Sequence, residues 1–219
     1  MAHDLIDSME MYLRTVLELE EEGIPALRAR LSERLGISAP SISEGVARLE
    51  EQGLVRLTGD RTVALTADGR DKAEHVMRKH RLAERLLVDV LGLEHEYVHE
   101  EACRWEHVIS DRVEERLVEF LGHPTTSPYG NPIPGSAPAP SSVQPLLDVE
   151  DGAVVVHSIS EHLQAEHDVM HILHEHGMIA GETVHVTRED SDVILQLADH
   201  RLRIDSEHAR YVYVVPVGG

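Results

Sequence analysis

Apolar residues at positions 5, 9, 12, 13, 16, 17 and 19 recur at helical spacing, so a helix is expected from Leu5 to Glu22, stopped by Gly23. Pro25 opens a shorter helix, Ala26 to Leu35, closed by Gly36. Ser38 and Pro40 supply an N-cap and an early proline for a third helix with Ile42, Val46 and Leu49 on its apolar face, ending at Gly53. Two short apolar runs follow, Leu54 to Leu57 and Val63 to Leu65, joined by Gly59, Asp60 and Arg61, which reads as a hairpin. Helix, helix, helix, then hairpin describes a winged helix-turn-helix; a three-helix bundle without a DNA role has the same breakers. The third helix favours DNA. Ser38, Pro40, Ser41, Ser43 and Glu44 lie at its polar N-terminal end, with Arg48 further along, where short side chains reach base edges and phosphates. Arg28, Arg48 and Arg61 are candidates for the phosphate backbone.

Beyond the hairpin, residues 66–91 carry a wide apolar stripe (Ala73, Val76, Leu82, Leu86, Leu87, Val90) and read as one long helix ended by Gly92. A further helix is expected from about Glu96 to Leu121. Apolar surface on two helices outside a complete winged domain suggests a dimer contact. Residues 123–145 hold seven of the ten prolines, which reads as a linker partly in polyproline II form. After it, strands are expected at 153–157, 183–187, 193–197, 201–204 and 211–215, with a helix over 166–176. Several short strands in that length fit a small barrel.

Composition narrows the class. Hydrophobic residues make up 42% of the 219, enough for real cores, and no apolar run approaches a membrane span. A single cysteine, Cys103, makes no internal disulfide, and the start of the chain lacks the order of a signal peptide, so a cytoplasmic protein is expected. The net charge of −20 argues against nucleic acid taken alone, but the Arg residues of the first domain cluster within 28–61. Sixteen histidines among 40 acids make a metal binder plausible.

The ligand-type residues fall into groups. His80 and Glu84 are one helical turn apart. His99, Cys103, Glu106 and His107 follow on the next helix at spacings of three and four. A buried thiol among surface charges accounts for this pattern about as well as a metal site does. His95 to His99 also matches HExxH, but no third ligand completes a zinc-protease pattern, and chance matches are expected in a chain this rich in His and acids.

The stretches EMYLRTVLELEEEG, PALRARLSERL, MRKHRLAERLLVDVLGL, VHEEACRWEHVISDRVEERL and SPYGNPIPG resemble the diphtheria toxin repressor family of iron-dependent regulators. The likeness runs over 4–135 and is weaker but traceable over 148–219. It implies a mainly α fold with a small β part. A winged helix-turn-helix would span 1–73, a helical dimerisation and metal-binding domain ending in the Pro-rich linker 74–140, and an SH3-like β-barrel 148–219. It also implies two metal sites. The primary site would be Met11, Cys103, Glu106 and His107; the ancillary site would be His80, Glu84, His99, Glu161 and Gln164. Where the iron-regulating relatives carry Gln-Thr, this chain has Glu44 and Gly45, which points to a different operator sequence.

A thioether and a thiolate beside imidazole and carboxylate suit Fe²⁺, and in vitro Co²⁺, Ni²⁺, Zn²⁺ and Mn²⁺ as well. Manganese-sensing relatives use harder oxygen ligands at the positions of Met11 and Cys103. The expectation is an Fe²⁺-dependent repressor. Metal between the DNA-binding and dimerisation domains would order a homodimer on a palindromic double-stranded operator of metal-homeostasis genes, one or two dimers to each. The alternatives are a manganese-responsive regulator of the same family and, from another class, a metal-storage protein or metalloenzyme. No open coordination position with a nearby base marks an enzyme. The SH3-like domain is also a candidate to hold the Pro-rich segment 128–140 within the chain.

Overall fold

The computed structural model describes residues 8–136, 140 and 142–217. Residues 5–7 of the expected first helix and 137–139 and 141 of the expected linker lie outside the described residues. The chain forms two compact units, residues 1–80 with 106–109, and residues 81–105 with 110–219.

The first unit contains α1 (Ser8–Glu21), α2 (Arg28–Leu35), α3 (Ala39–Glu51), β1 (Val55–Leu57), β2 (Val63–Leu65) and most of α4 (Ala67–Arg85). Its core joins Leu13, Val16 and Leu17 of α1 to Leu31 of α2, Ile42, Val46 and Leu49 of α3, and Val55, Val63 and Leu65 of the hairpin. Each such side chain contributes about 1.5–3 kcal/mol relative to exposure. The strands pair antiparallel, Val55 opposite Leu65 and Leu57 opposite Val63. Arg61 takes the left-handed conformation in the turn between them. Ser38 caps α3, its hydroxyl accepting from the Ser41 amide. α2 starts at Arg28 rather than Ala26. The Ala26 carbonyl accepts instead from the Val63 amide of β2 at 2.9 Å, so the preceding turn serves the hairpin.

The second unit begins in the last turn of α4. A π-helical turn, Leu86–Val90, ends that helix through the Leu91 amide bonding the Leu86 carbonyl. The expected single helix over 96–121 is two helices, α5 (His95–Trp105) and α6 (Asp111–Phe120). Ser110, extended, starts α6 with its carbonyl accepting from Val113 and Glu114, so 106–110 is a connection. Glu106 and His107 therefore leave the helix that carries His99 and Cys103.

The segment read as a linker is folded in its first part. Ser127 and Asn131 close a turn, Tyr129 and Ile133 are buried, and the Ile159 amide donates to the Tyr129 carbonyl at 3.0 Å. Gly130 has φ +86°, and a Cβ there would stand 1.9 Å from the His157 carbonyl oxygen, so this turn lies flat on strand backbone. The prolines here shape a turn in place of an extended spacer.

Strands β3 (Gln144–Pro145), β4 (Gly152–Ile159), β5 (Thr183–Glu189), β6 (Asp192–Leu197), β7 (His200–Ile204) and β8 (Val212–Pro216) make one antiparallel sheet in the order β3-β8-β4-β5-β6-β7. The five expected strands are present; β3 was not expected. Helices α7 (Glu161–Gln164) and α8 (His167–Glu175) follow β4, and α9 (Ser206–Ala209) precedes β8. α8 packs against α5. No helix among the described residues is long and apolar enough to cross a membrane.

Candidate metal centre

α1 has its apolar side in the core, so Glu10, Met11 and Arg14 fall together on the flank facing residues 106 and 107. His107 is the hub. Its Nε2 stands 3.2 Å from Met11 Sδ and 3.1 Å from Glu106 Oε1. Its Nδ1 stands 2.6 Å from Glu10 Oε2. Glu106 is buried, and its two oxygens differ. Oε2 accepts from Arg14 Nη1 and lies 2.6 Å from His80 Nδ1. Oε1 is buried, with His107 Nε2 3.1 Å away.

The Met11 sulfur and a Glu106 carboxylate oxygen thus each lie just over 3 Å from the His107 imidazole nitrogen, a donor set that fits a divalent transition ion. Burial pushes the Glu106 carboxyl up, but Arg14, His107 and His80 outweigh it and hold the group well below the usual carboxylate range. Burial likewise pulls His107 down, and the carboxylates of Glu106 and Glu10 overcome it and raise its pKa.

The second unit gathers further ligand-type groups. His99 Nδ1 is 3.8 Å from Glu84 Oε1, and Cys103 Sγ is 3.4 Å from His99 Nε2. From α7, Gln164 donates through Nε2 to the Ile159 carbonyl, while its buried Oε1 has no hydrogen-bond partner among the described residues. Glu161 is held by Arg81, whose Nε and Nη2 stand 2.8 and 2.7 Å from Oε1. His80 belongs to the first unit, beside Arg14 and Glu106.

The residues expected to meet DNA lie at the start of α2, at the cap of α3 and along it, and in the turn of the wing. Ser38, Pro40, Ser41, Ser43, Glu44, Arg48 and Arg61 are exposed, and Arg28 is half-buried. Several hydroxyls have local partners: Ser38 and Ser41 bond each other at 2.9 Å, and Ser43 donates to the Ala39 carbonyl. Gly45 faces inward beneath Tyr12, whose hydroxyl donates to the Ser41 carbonyl at 3.2 Å. Sequence reasoning missed Glu10 and Arg14. Helical spacing gave a usable signal for Arg14, three residues after Met11 on one face; nothing in the sequence distinguished Glu10 from other surface acids.

Residues 4–63 match the profile of the iron-dependent repressor N-terminal DNA binding domain. Residues 66–135 match that of the iron-dependent repressor metal binding and dimerisation domain, and 144–216 match the FeoA domain. The iron-dependent repressor IdeR of Mycobacterium leprae (strain TN) is 48% identical over 211 residues, covering 90% of this chain and 92% of that protein. The chain belongs to the iron-dependent repressor family.

The diphtheria toxin repressor of Corynebacterium efficiens, another relative, is 46% identical over 226 residues, covering 99% of this chain and 98% of that one. A solved structure described as a manganese-dependent transcriptional repressor complex with manganese is 32% identical with a TM-score of 0.84, covering 95% of this chain and all of that one. This member of the iron-dependent repressor family is a metal-dependent transcriptional repressor and not an enzyme; its partners are DNA and a second copy of itself. Within the matched dimerisation region, Val90, Leu91, Val113 and Phe120 are exposed. Val113 and Phe120 line an apolar groove on α6 with Arg112, Arg116 and Leu117. The winged DNA-binding domain and the C-terminal sheet domain stand as expected from the sequence.

Proposed function

We propose that the chain is an Fe²⁺-dependent repressor of metal-homeostasis genes acting in the cytoplasm. Met11, Glu106 and His107, with Cys103, would form its primary metal site. His80, Glu84, His99, Glu161 and Gln164 would form the ancillary site. The observation that carries the reading is that Met11 Sδ and the buried Glu106 Oε1 both lie just over 3 Å from His107 Nε2.

When bound, the divalent ion supplies positive charge and Lewis acidity that a buried carboxylate and a thioether otherwise lack. Met11 would donate from α1, and Glu106 and His107 from the connection between α5 and α6, all in the same unit as the recognition helix α3. Ligands from both segments restrain α1, and through its core contacts α3, so metal affinity and operator affinity become linked and reciprocal. The exposed residues Ser38, Pro40, Ser41, Ser43, Glu44 and Arg48 read or position the operator, with Arg28 and Arg61 at the phosphates. Glu44 accepts from cytosine N4 where a Gln would pair with adenine, so the operator differs from that of relatives with Gln.

Iron is favoured over manganese because Met11 and Cys103 are soft donors. Zn²⁺, Co²⁺ and Ni²⁺ bind in vitro at least as well by the Irving–Williams order. Gel-shift titration on promoters of iron-uptake genes, with anaerobic Fe²⁺ or Mn²⁺, tests the reading. Retardation is expected at lower Fe²⁺ than Mn²⁺. Met11→Ala is expected to weaken the metal response and leave the melting temperature of the metal-free protein nearly unchanged. A core methionine would instead cost about 2–5 kcal/mol with or without metal. An unchanged metal response in Met11→Ala, or a response to Mn²⁺ alone, refutes the corresponding part of the proposal.

A further inference from the structure

His107 meets two consecutive residues of α1. Met11 approaches Nε2 and Glu10 approaches Nδ1, at 3.2 and 2.6 Å. The imidazole is almost wholly covered, at 4% exposed, whereas the Glu10 side chain is 37% exposed. A neutral imidazole has one N–H and one lone pair, and the partner of one nitrogen decides the role of the other. A carboxylate that accepts the Nδ1 proton leaves Nε2 as the nitrogen to serve a metal ion; without one, Nε2 faces Glu106 Oε1 at 3.1 Å as a hydrogen-bonding neighbour. The second such device in the cluster is on Glu106, where Arg14 and His80 engage Oε2 and Oε1 is turned to His107 Nε2.

We propose that Glu10 is a positioning residue for the metal site: its carboxylate accepts the Nδ1 proton of His107 and aims Nε2 at the point shared with Met11 and Glu106. The proposal rests on the reading of Met11, Glu106 and His107 as ligands. Glu10 and Met11 are neighbours on one helix, so both contacts to His107 depend on how α1 is seated. The ligand and the group that orients its partner therefore move together. Carboxylates behind a ligating histidine fix its tautomer and strengthen it as a donor, and losing one weakens metal binding about 10–100-fold.

The test is an anaerobic Co²⁺ titration of the full-length protein followed by visible absorption, with a thermal melt of each variant without metal. His107→Ala identifies the step that belongs to this site. Glu10→Ala is expected to shift that same step to weaker binding by about 10–100-fold. Its metal-free melt should change little, because the Glu10 side chain is 37% exposed and an ion pair open to water on one side contributes little. Glu10→Gln, which keeps an acceptor and loses the charge, should fall between the two. A Glu10→Ala titration identical to wild type overturns the proposal. So does a loss of affinity matched by a drop in the metal-free melting temperature with no recovery in Glu10→Gln, because that pattern marks a structural residue. A titration of His107→Ala that loses no step overturns the ligand reading itself.

Discussion

His95 shows how one residue outside the metal site tunes the molecule. Its ring stacks on His174 with centroids 4.0 Å apart and meets Tyr129 edge-on. Burial lowers its pKa, the neighbouring His174 lowers it further, and Glu96 and Asp89 oppose them without prevailing. The folded state therefore binds fewer protons at His95 than the unfolded chain, whose histidines titrate near about 6.5. Stability from this group is present above that value and is lost as pH falls through the depressed one. The melting temperature is expected to fall between pH 7 and pH 5, and to fall less in His95→Phe, which keeps the ring and loses the titration. Equal falls in both proteins would show that His95 contributes nothing to the acid sensitivity.

At the scale of elements, α4 meets the hairpin at a point where glycine is required by space. Thr66 caps the helix: its hydroxyl accepts from the Gly69 amide at 3.1 Å and lies 2.7 Å from the Gly53 carbonyl. A Cβ on Gly69 would stand 1.8 Å from the Leu54 carbonyl oxygen, backbone that cannot swing aside. Gly→Ala in a helix ordinarily stabilises by up to about 1 kcal/mol. Here overpacking, at about 1–3 kcal/mol or more, is the larger effect and reverses the sign. Gly69→Ala is expected to be destabilised in urea titration; a stabilised variant would mean that α4 slides freely past the turn.

For the whole molecule, the C-terminal sheet is not an appendage to α5. α8 packs on α5, Arg81 on the last turn of α4 is fully buried against Glu161 and the Pro132 carbonyl, and Tyr129 is held by Ile159. Deleting residues 148–219 strips Glu161 from a buried guanidinium, a change that costs several kcal/mol when the charge stays covered. Amide exchange in α5 and in 123–136 is expected to accelerate in the truncated chain. Exchange in the core of α1–α3 should hold, since that core contains none of the deleted residues. Unaltered protection in α5 would show that the helices stand without the sheet.

The chain by itself determined what depends on near neighbours in sequence. Helical spacing and the breakers Gly23, Gly36 and Gly53 marked α1 to α3, Gly59 to Arg61 marked the wing, and alternating Val-rich runs marked five of the six strands of the second unit. Motif likeness supplied the candidate ligands and the family. Tertiary structure alone decided which atoms meet. It broke the expected 96–121 helix so that Glu106 and His107 part from Cys103's helix, because their side chains are satisfied beside α1 instead of along α5. It also folded the proline-rich segment onto β4, where Tyr129 and Ile133 have apolar surface to bury. Glu10 and Arg14 gained their places from residues more than 60 positions away. Sequence periodicity records contacts a few residues apart, whereas the orientation of an imidazole is set by whatever the fold brings to its other nitrogen.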